Sequence, residues 1–352
     1  MGEKKISVSS KTLLKWYDNF GRDLPWRVKG GQKADPYKVW LSEIMLQQTT
    51  VKAVIPYFEI FLKKWPTVEA LANAVLDDVL TKWAGLGYYA RARNLKKCAE
   101  YVSNNLGGNF PKSEAGLLTL PGVGPYTAAA ITAISYGKKA VVVDGNIERV
   151  MSRLFRVKTL LPKAKTILKE KAGLLTPDDR VGDYAQALMD LGATICTPKS
   201  PKCTLCPWGD WCLSFRKHDV ASFPKREKKK LKPLRYGQAF VLIYKDEIFL
   251  QKRPEKGLLG GMIEVPSSVW GKKEVAGHID AAPINIKWNK LRGVVKHTFT
   301  HFNLELEVCV GNIEGFKPNL EKGFWVPFQK ITEYALPTLM KKVVNYSGVL
   351  PE

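Results

Sequence analysis

The sequence predicts a multidomain protein in which an all-α N-terminal half is followed by a smaller α+β domain. Three observations predict this. Across residues 11–215 apolar positions recur at helical spacing between Gly and Pro breaks, with little period-2 alternation. Residues 225–235 (KREKKKLKPLR) hold seven basic residues and one acidic one beside Pro224 and Pro233, the pattern of an extended linker. From Tyr236 onward the apolar residues gather in short runs of β-branched and aromatic character, some alternating with period 2. The 352 residues suffice for about two domains, which sets the divisions at 1–224, 225–235 and 236–352.

Taken in order, Leu13, Leu14, Trp16, Tyr17 and Phe20 open the helical half. Tyr37, Trp40, Leu41, Ile44, Met45 and Gln48 form a second periodic stretch, and Val54, Tyr57, Phe58, Phe61 and Leu62 a third that stops at Pro66. Further helices fit residues 68–74, 76–83, 90–104 and 147–155. In the C-terminal part, strands fit residues 239–244, 248–252, 293–299 and the alternating 303–308.

Composition bounds the function. With 45% hydrophobic and 25% charged residues the chain is an ordinary globular protein, which excludes wholesale disorder. No apolar run reaches the roughly 18 to 20 residues of a membrane span, and residues 1–10 lack a signal-peptide core, so a soluble cytoplasmic protein with no membrane partner is expected. The net charge of +22 calls for a polyanionic partner; residues 1–224 contribute +13 and the linker +6, which places a nucleic-acid surface on the helical half and the hinge.

Four segments carry chemistry. Leu120-Pro121-Gly122-Val123-Gly124-Pro125-Tyr126 is a tight turn between two helices. Gly122 and Gly124 let the backbone approach an anion, Pro125 suits a first helical turn, and the free amides there form a phosphate site. About twenty residues on, Asp144 ends the apolar run Val141-Val142-Val143 and begins an amphipathic stretch, as a helix cap or as a partly buried anion facing a developing cation. A second carboxylate, Glu43, flanks the Trp40/Ile44 stripe. Finally, Cys196, Cys203, Cys206 and Cys212 are separated by six, two and five residues. In a chain of this length such spacing favours metal over disulfides, and both zinc and an iron–sulfur cluster fit it.

Over residues 10–220 the chain resembles the helix-hairpin-helix DNA glycosylases that carry a four-iron cluster, and within them the MutY-like adenine glycosylases. The resemblance rests on Leu24-Pro25-Trp26, the segment from Pro36 to Glu43, Gln47-Gln48-Thr49, the segment from Gly85 to Leu95, the hairpin with its aspartate, Met189-Asp190-Leu191-Gly192-Ala193 and the four cysteines. It implies a base-excision repair enzyme, acting as a monomer, that flips adenine mispaired with 8-oxoguanine out of duplex DNA. It also implies one [4Fe-4S] cluster held by Cys196, Cys203, Cys206 and Cys212.

By the same resemblance Glu43 is the general acid that protonates adenine, and Asp144 stabilises or attacks the oxocarbenium-like sugar. Asn146 and Tyr126 position Asp144 and the substrate phosphate, while Trp26, Arg27, Leu46 and Gln186 line the adenine pocket. Gln48 and Thr49 help recognise the oxidised guanine, and Leu86 and Tyr88 wedge the gap left by the flipped base. Gly122, Val123 and Gly124 hold the backbone of the DNA. Relatives that cleave the strand carry lysine at the position of Tyr126, and tyrosine cannot form a Schiff base, so little lyase activity is expected.

Residues 241–265 resemble the Nudix-like domain of the same family, with Phe299-Thr300-His301 standing where the family has a loop that inspects the oxidised base. A hydrolytic Nudix protein would need a glutamate-rich helix after this segment, and only Glu274 and Asp280 occur there, so no pyrophosphatase activity is expected. No cysteine lies between Cys212 and Cys309, so no zinc site is expected in the linker. Two other readings are a thymine mismatch glycosylase, since such enzymes also pair a hairpin tyrosine with an aspartate, and a non-catalytic DNA-binding iron–sulfur protein.

Overall fold

The computed structural model describes residues 9–28, 34–227, 231–273 and 281–349. Its helices are α1 (Ser10–Phe20), α2 (Pro36–Leu46), α3 (Val51–Lys64), α4 (Val68–Ala72), α5 (Leu76–Trp83), α6 (Ala90–Leu106), α7 (Glu114–Leu118), α8 (Pro125–Ile134), α9 (Gly145–Leu154), α10 (Lys165–Leu175), α11 (Val181–Asp190), α12 (Leu213–Arg216) and α13 (Thr338–Tyr346). None is long and apolar enough to cross a membrane among the described residues. Those residues fall into two compact units, one within Met1–Ala72 and Lys97–Lys229, the other within Asn73–Lys96 and Lys230–Glu352.

The first unit is helical, and its helices start where the sequence supplies caps. Ser9, Asp35 and Thr50 each accept a backbone N–H at the start of α1, α2 and α3, and Pro36 and Pro125 occupy first-turn positions where a missing N–H costs nothing. Two helices are apolar nearly all round and form the centre. Helix α2 buries Tyr37 and then Val39 through Met45, α8 buries Thr127 through Ala133, and the two pack on each other. Around α8, residues Ile147, Met151, Leu154, Leu168, Tyr184, Leu188 and Trp208 complete a continuous core. Helix α11 runs on into a π-helical turn at Leu191–Ile195, which delivers Cys196.

The second unit is built on a mixed sheet of β1 (Leu234–Tyr244), β2 (Glu247–Lys252), β3 (Ile263–Glu264), β4 (Asn289–Lys290), β5 (Val295–Thr298), β6 (Asn303–Asn312) and β7 (Phe324–Pro327). Strands β1 and β6 run parallel in the centre, from Leu234 opposite Asn303 to Ile243 opposite Asn312. Antiparallel partners extend each side: β2, then β3 and β7, beyond β1, and β4 and β5 beyond β6. Helix α13 buries Leu339, Met340, Val343 and Val344 in the same core as Val241, Ile248, Leu250 and Val308. Residues 73–96 belong to this unit: Lys252 bonds both carboxylate oxygens of Asp77 at 2.9 and 3.2 Å, and the Arg93 guanidinium donates to the Gly260 carbonyl.

The strands exceed or fall short of their sequence expectations for local reasons. Strand β1 begins at Leu234, inside the stretch read as linker, because its partner β6 offers a ladder from Asn303 onward. At the other end Arg226 bridges to Leu161. The strand expected over residues 293–299 shrinks to Val295–Thr298, since Gly293 takes φ +85° and Phe299 turns back to bond Phe302. Residues 228–230 of the basic run, and both Glu274 and Asp280, lie outside the described residues.

Candidate active site

Glu43 is only 4% exposed, on the α2 face turned toward α8, and accepts a 2.7 Å hydrogen bond from the Tyr126 hydroxyl. Burial pushes its carboxyl up to about 7; Asp144 nearby adds to the rise, while the Tyr126 bond and the Arg27 charge oppose it. A glutamate in this state holds its proton near neutrality and can give it to a base. Tyr126 itself is raised far above its ordinary value by burial and the two carboxylates, so it stays a neutral donor.

Asp144 is at once a helix cap and a partly buried carboxyl. It caps α9, accepting from the Ile147 amide at 2.7 Å, and its other oxygen accepts from the Asn146 side chain at 3.0 Å. Burial raises its carboxyl, and the bonds from Ile147 and Asn146 and the Arg149 charge counter that rise. Asn146 is fixed in turn by Arg149, whose guanidinium also bonds the Gly192 and Cys196 carbonyls at 2.7 Å each. Gly192 leaves the room that Asn146 occupies: a Cβ there would stand 2.6 Å from the Cβ of Asn146.

Trp26, Arg27, Leu46 and Gln186 come together with Glu43 around one pocket, which Arg22, Ser42 and Met189 help to line; its empty space, open at the mouth, is about 380 Å³. Trp26 is set edge-on against Phe58, 5.2 Å between ring centres. Arg27 is anchored from behind by Asp190, which accepts both of its terminal nitrogens at 2.8 Å and also the backbone and side chain of Arg22. Asp190 is fully buried, and Arg27 and Arg22 hold its carboxyl below the usual range against the opposing cost of burial. The Arg27 charge acts on Glu43 less strongly than burial, the Tyr126 bond or Asp144 does.

The hairpin closes as the glycines require. Gly122 takes φ +75°, Gly124 caps α8 with no side chain over the amides, and Val123 anchors the turn in the core at 7% exposure. Gln48, just past the end of α2, adopts φ +60°, a strained value for a non-glycine residue that directs the chain into Thr49 and the Thr50 cap of α3.

In the second unit the two wedge candidates differ. Leu86 is 7% exposed and packs inside, so within this fold it is a core residue, whereas Tyr88 is 47% exposed and holds φ +48°. The Tyr88 hydroxyl lies 2.9 Å from that of Thr300, 212 residues away. Thr300 and His301 are exposed, and Phe299 stacks on Trp270 at 5.9 Å, with His297 and Phe302 against its ring.

The four clustered cysteines are partly buried and form no disulfide. Burial pushes Cys206 up to about 12, and the other three thiols add to the rise. Four thiols of this kind supply the ligands of a four-iron cluster, one thiolate to each iron. The Arg153 guanidinium donates to the Cys196 sulfur at 3.3 Å and supplies positive charge beside the group.

Sequence alone did not single out Arg149 or Arg153, and it marked Asp190 and Gly192 only as part of the segment from Met189 to Ala193, with no role. The signal for these roles is long-range, since each depends on a residue remote in the chain.

Residues 41–177 match the HhH-GPD superfamily base excision DNA repair proteins, residues 196–212 the iron–sulfur binding domain of endonuclease III, and residues 238–346 the NUDIX domain. The chain is 34% identical over 343 residues to the adenine DNA glycosylase of Buchnera aphidicola subsp. Baizongia pistaciae, with 96% of each chain covered. It is also 34% identical to the adenine DNA glycosylase of Homo sapiens, covering 99% of this chain and 75% of that protein. Among solved structures, a thermostable thymine-DNA glycosylase is 34% identical over 59% of this chain and 95% of its own, with a TM-score of 0.54. One [4Fe-4S] cluster is the resident cofactor that the cysteine segment implies. Matched along nearly its whole length, the chain belongs to the adenine DNA glycosylase family of helix-hairpin-helix base-excision repair enzymes.

Proposed function

We propose that the protein removes adenine paired with 8-oxoguanine, and with guanine, from duplex DNA, as a monofunctional hydrolase with little lyase activity. The observation that carries this is a buried glutamate, held protonated near neutrality, at the edge of a pocket lined by Trp26, Arg27, Leu46 and Gln186. Adenine is a poor leaving group until a ring nitrogen is protonated. Glu43 supplies that proton, and its conjugate base then sits beside Tyr126, ready to take a proton from the incoming water. Asp144, whose carboxyl is raised by burial and drawn back by the bonds from the Ile147 amide and Asn146, faces the cationic sugar and stabilises it or bonds to it as the carboxylate. The second unit reads the opposite base, with Tyr88 and Thr300 as its contact pair. Cys196, Cys203, Cys206 and Cys212 hold the [4Fe-4S] cluster, whose chemistry when bound is structural charge and cross-linking of the loop that carries them.

The test uses duplexes holding adenine or thymine opposite 8-oxoguanine or guanine, with alkali to reveal abasic sites. Alkali-dependent cleavage at adenine is expected, fastest opposite 8-oxoguanine. Cleavage at thymine instead would move the assignment to a thymine-DNA glycosylase, the name carried by the 34%-identical solved structure. Efficient borohydride trapping of the protein on DNA would overturn the monofunctional part, since Tyr126 has no amine.

Gly192→Ala tests the placement of Asp144. The added methyl must push Asn146 away, so the single-turnover excision rate should fall by about tenfold or more while binding to lesion DNA is kept. An unchanged rate would mean that Asn146 does not position Asp144.

A further inference from the structure

The wedge loop at residues 85–89 has a bonding pattern that the function above does not use. Gly85 and Gly87 take φ of +117° and +70°, and Tyr88 follows at +48°, a conformation that a tyrosine holds only when its surroundings impose it. The surroundings are one guanidinium. Arg91 donates to the Leu86 and Gly87 carbonyls, both at 3.2 Å, and lies over the rings of Trp83, 5.2 Å away, and Tyr88, 5.7 Å away. Trp83 donates its indole N–H to the same Gly87 carbonyl at 3.1 Å, and the Arg91 amide bonds the Tyr88 carbonyl at 2.8 Å. Arg91 and Trp83 thus supply bonds to the Leu86, Gly87 and Tyr88 carbonyls of the turn, and the Tyr89 hydroxyl receives the Gly85 amide at 3.5 Å.

We propose that Arg91 is a positioning residue for discrimination of the base opposite adenine: it locks Tyr88 in the left-handed conformation and backs one face of its ring, leaving the other free to stack on a base. This rests on the reading of Tyr88 as the inserted residue. One terminal nitrogen, Nη2, serves both carbonyls while the guanidinium carbon stays 5.2 and 5.7 Å from the two ring centres. The compact ammonium of lysine keeps the charge but has no extended planar group to reach both rings at once, so lysine does not replace it.

The test compares the full-length protein with Tyr88→Ala, Arg91→Ala and Arg91→Lys, on duplexes with adenine opposite 8-oxoguanine or guanine. A 2-aminopurine beside the 8-oxoguanine reports stacking. Both Arg91 variants should bind the 8-oxoguanine duplex about tenfold more weakly and lose most of their preference over guanine. They should also fail to quench the 2-aminopurine as the parent does. Single-turnover excision at saturating protein should stay within about threefold of the parent, because Glu43 and Asp144 lie in the other unit. If Tyr88→Ala behaves as the parent, the reading of Tyr88 itself fails. If Tyr88→Ala loses discrimination while Arg91→Ala and Arg91→Lys keep both discrimination and quenching, the proposal for Arg91 fails alone. Arg91→Lys covers the case in which the alanine variant does not fold, and an Arg91→Lys protein with parental discrimination overturns the need for the planar guanidinium.

Discussion

Glu43→Gln is expected to abolish excision and, above neutral pH, to make the folded protein more stable. The amide still accepts the Tyr126 hydroxyl bond but has no proton to give, so the rate should fall by about 10² to 10⁴. The stability change follows from linkage. In the unfolded chain the carboxyl ionises near its ordinary 4.5, in the folded one at about 7. Below the lower value both states hold the proton and nothing is lost. Between the two values the unfolded state ionises first and gains. Above 7 the buried carboxylate carries the full penalty, on the order of 3 kcal/mol. Glu43→Gln removes it, so thermal scans at pH 8 should show a rise of several degrees that vanishes near pH 4. The parent's excision rate should meanwhile fall with increasing pH through about 7, as the acid loses its proton. A variant neither inactive nor stabilised at pH 8 would mean that Glu43 is an ordinary solvated carboxylate.

Asp190→Asn is expected to cost the most stability of any single change near the pocket. Asp190 is fully buried and Arg27 nearly so, its side chain 5% exposed, while Arg22 can reach water. Removing the shared anion strands the Arg27 charge in the interior, about 3 to 5 kcal/mol. The sign with pH is opposite to that of Glu43. The folded carboxyl of Asp190 lies below its ordinary value, so its stabilisation is present above that value and is lost as pH falls through the lower folded one. Denaturant titrations should therefore separate parent and variant widely at pH 7 and less in strong acid. A second readout is specific to the pocket. Arg27, no longer balanced, should pull the Glu43 proton off more easily and move the alkaline limb of the excision profile to lower pH. An unmoved limb would mean that Asp190 holds structure only.

Much of this was legible in the sequence because it depends on local rules. Ser9, Asp35 and Thr50 mark helix starts, the Gly122 and Gly124 turn before Pro125 marks the hairpin, and period-2 runs mark the sheet. Glu43 was harder to weigh. On a helix wheel it flanks an apolar stripe, as surface glutamates commonly do, and only the packing of α2 against α8 shows that this flank is interior. Leu86 shows the opposite case. Between two glycines it looked available for insertion, yet its side chain is buried, while Tyr88 two residues on is exposed.

The sequence by itself determined the order of the elements, the helical and sheet-forming halves, the metal-binding cysteines and the residue types available for acid and anion chemistry, since periodicity, caps and spacing are properties of neighbours. The tertiary structure alone decided that burial raises the Glu43 carboxyl to about 7, that Asp190 balances Arg27, that Gly192 makes room for Asn146, and that Tyr88 meets Thr300 across 212 residues. Each of these depends on desolvation and on partners remote in the chain, and a buried group's charge state is set by what surrounds it in space.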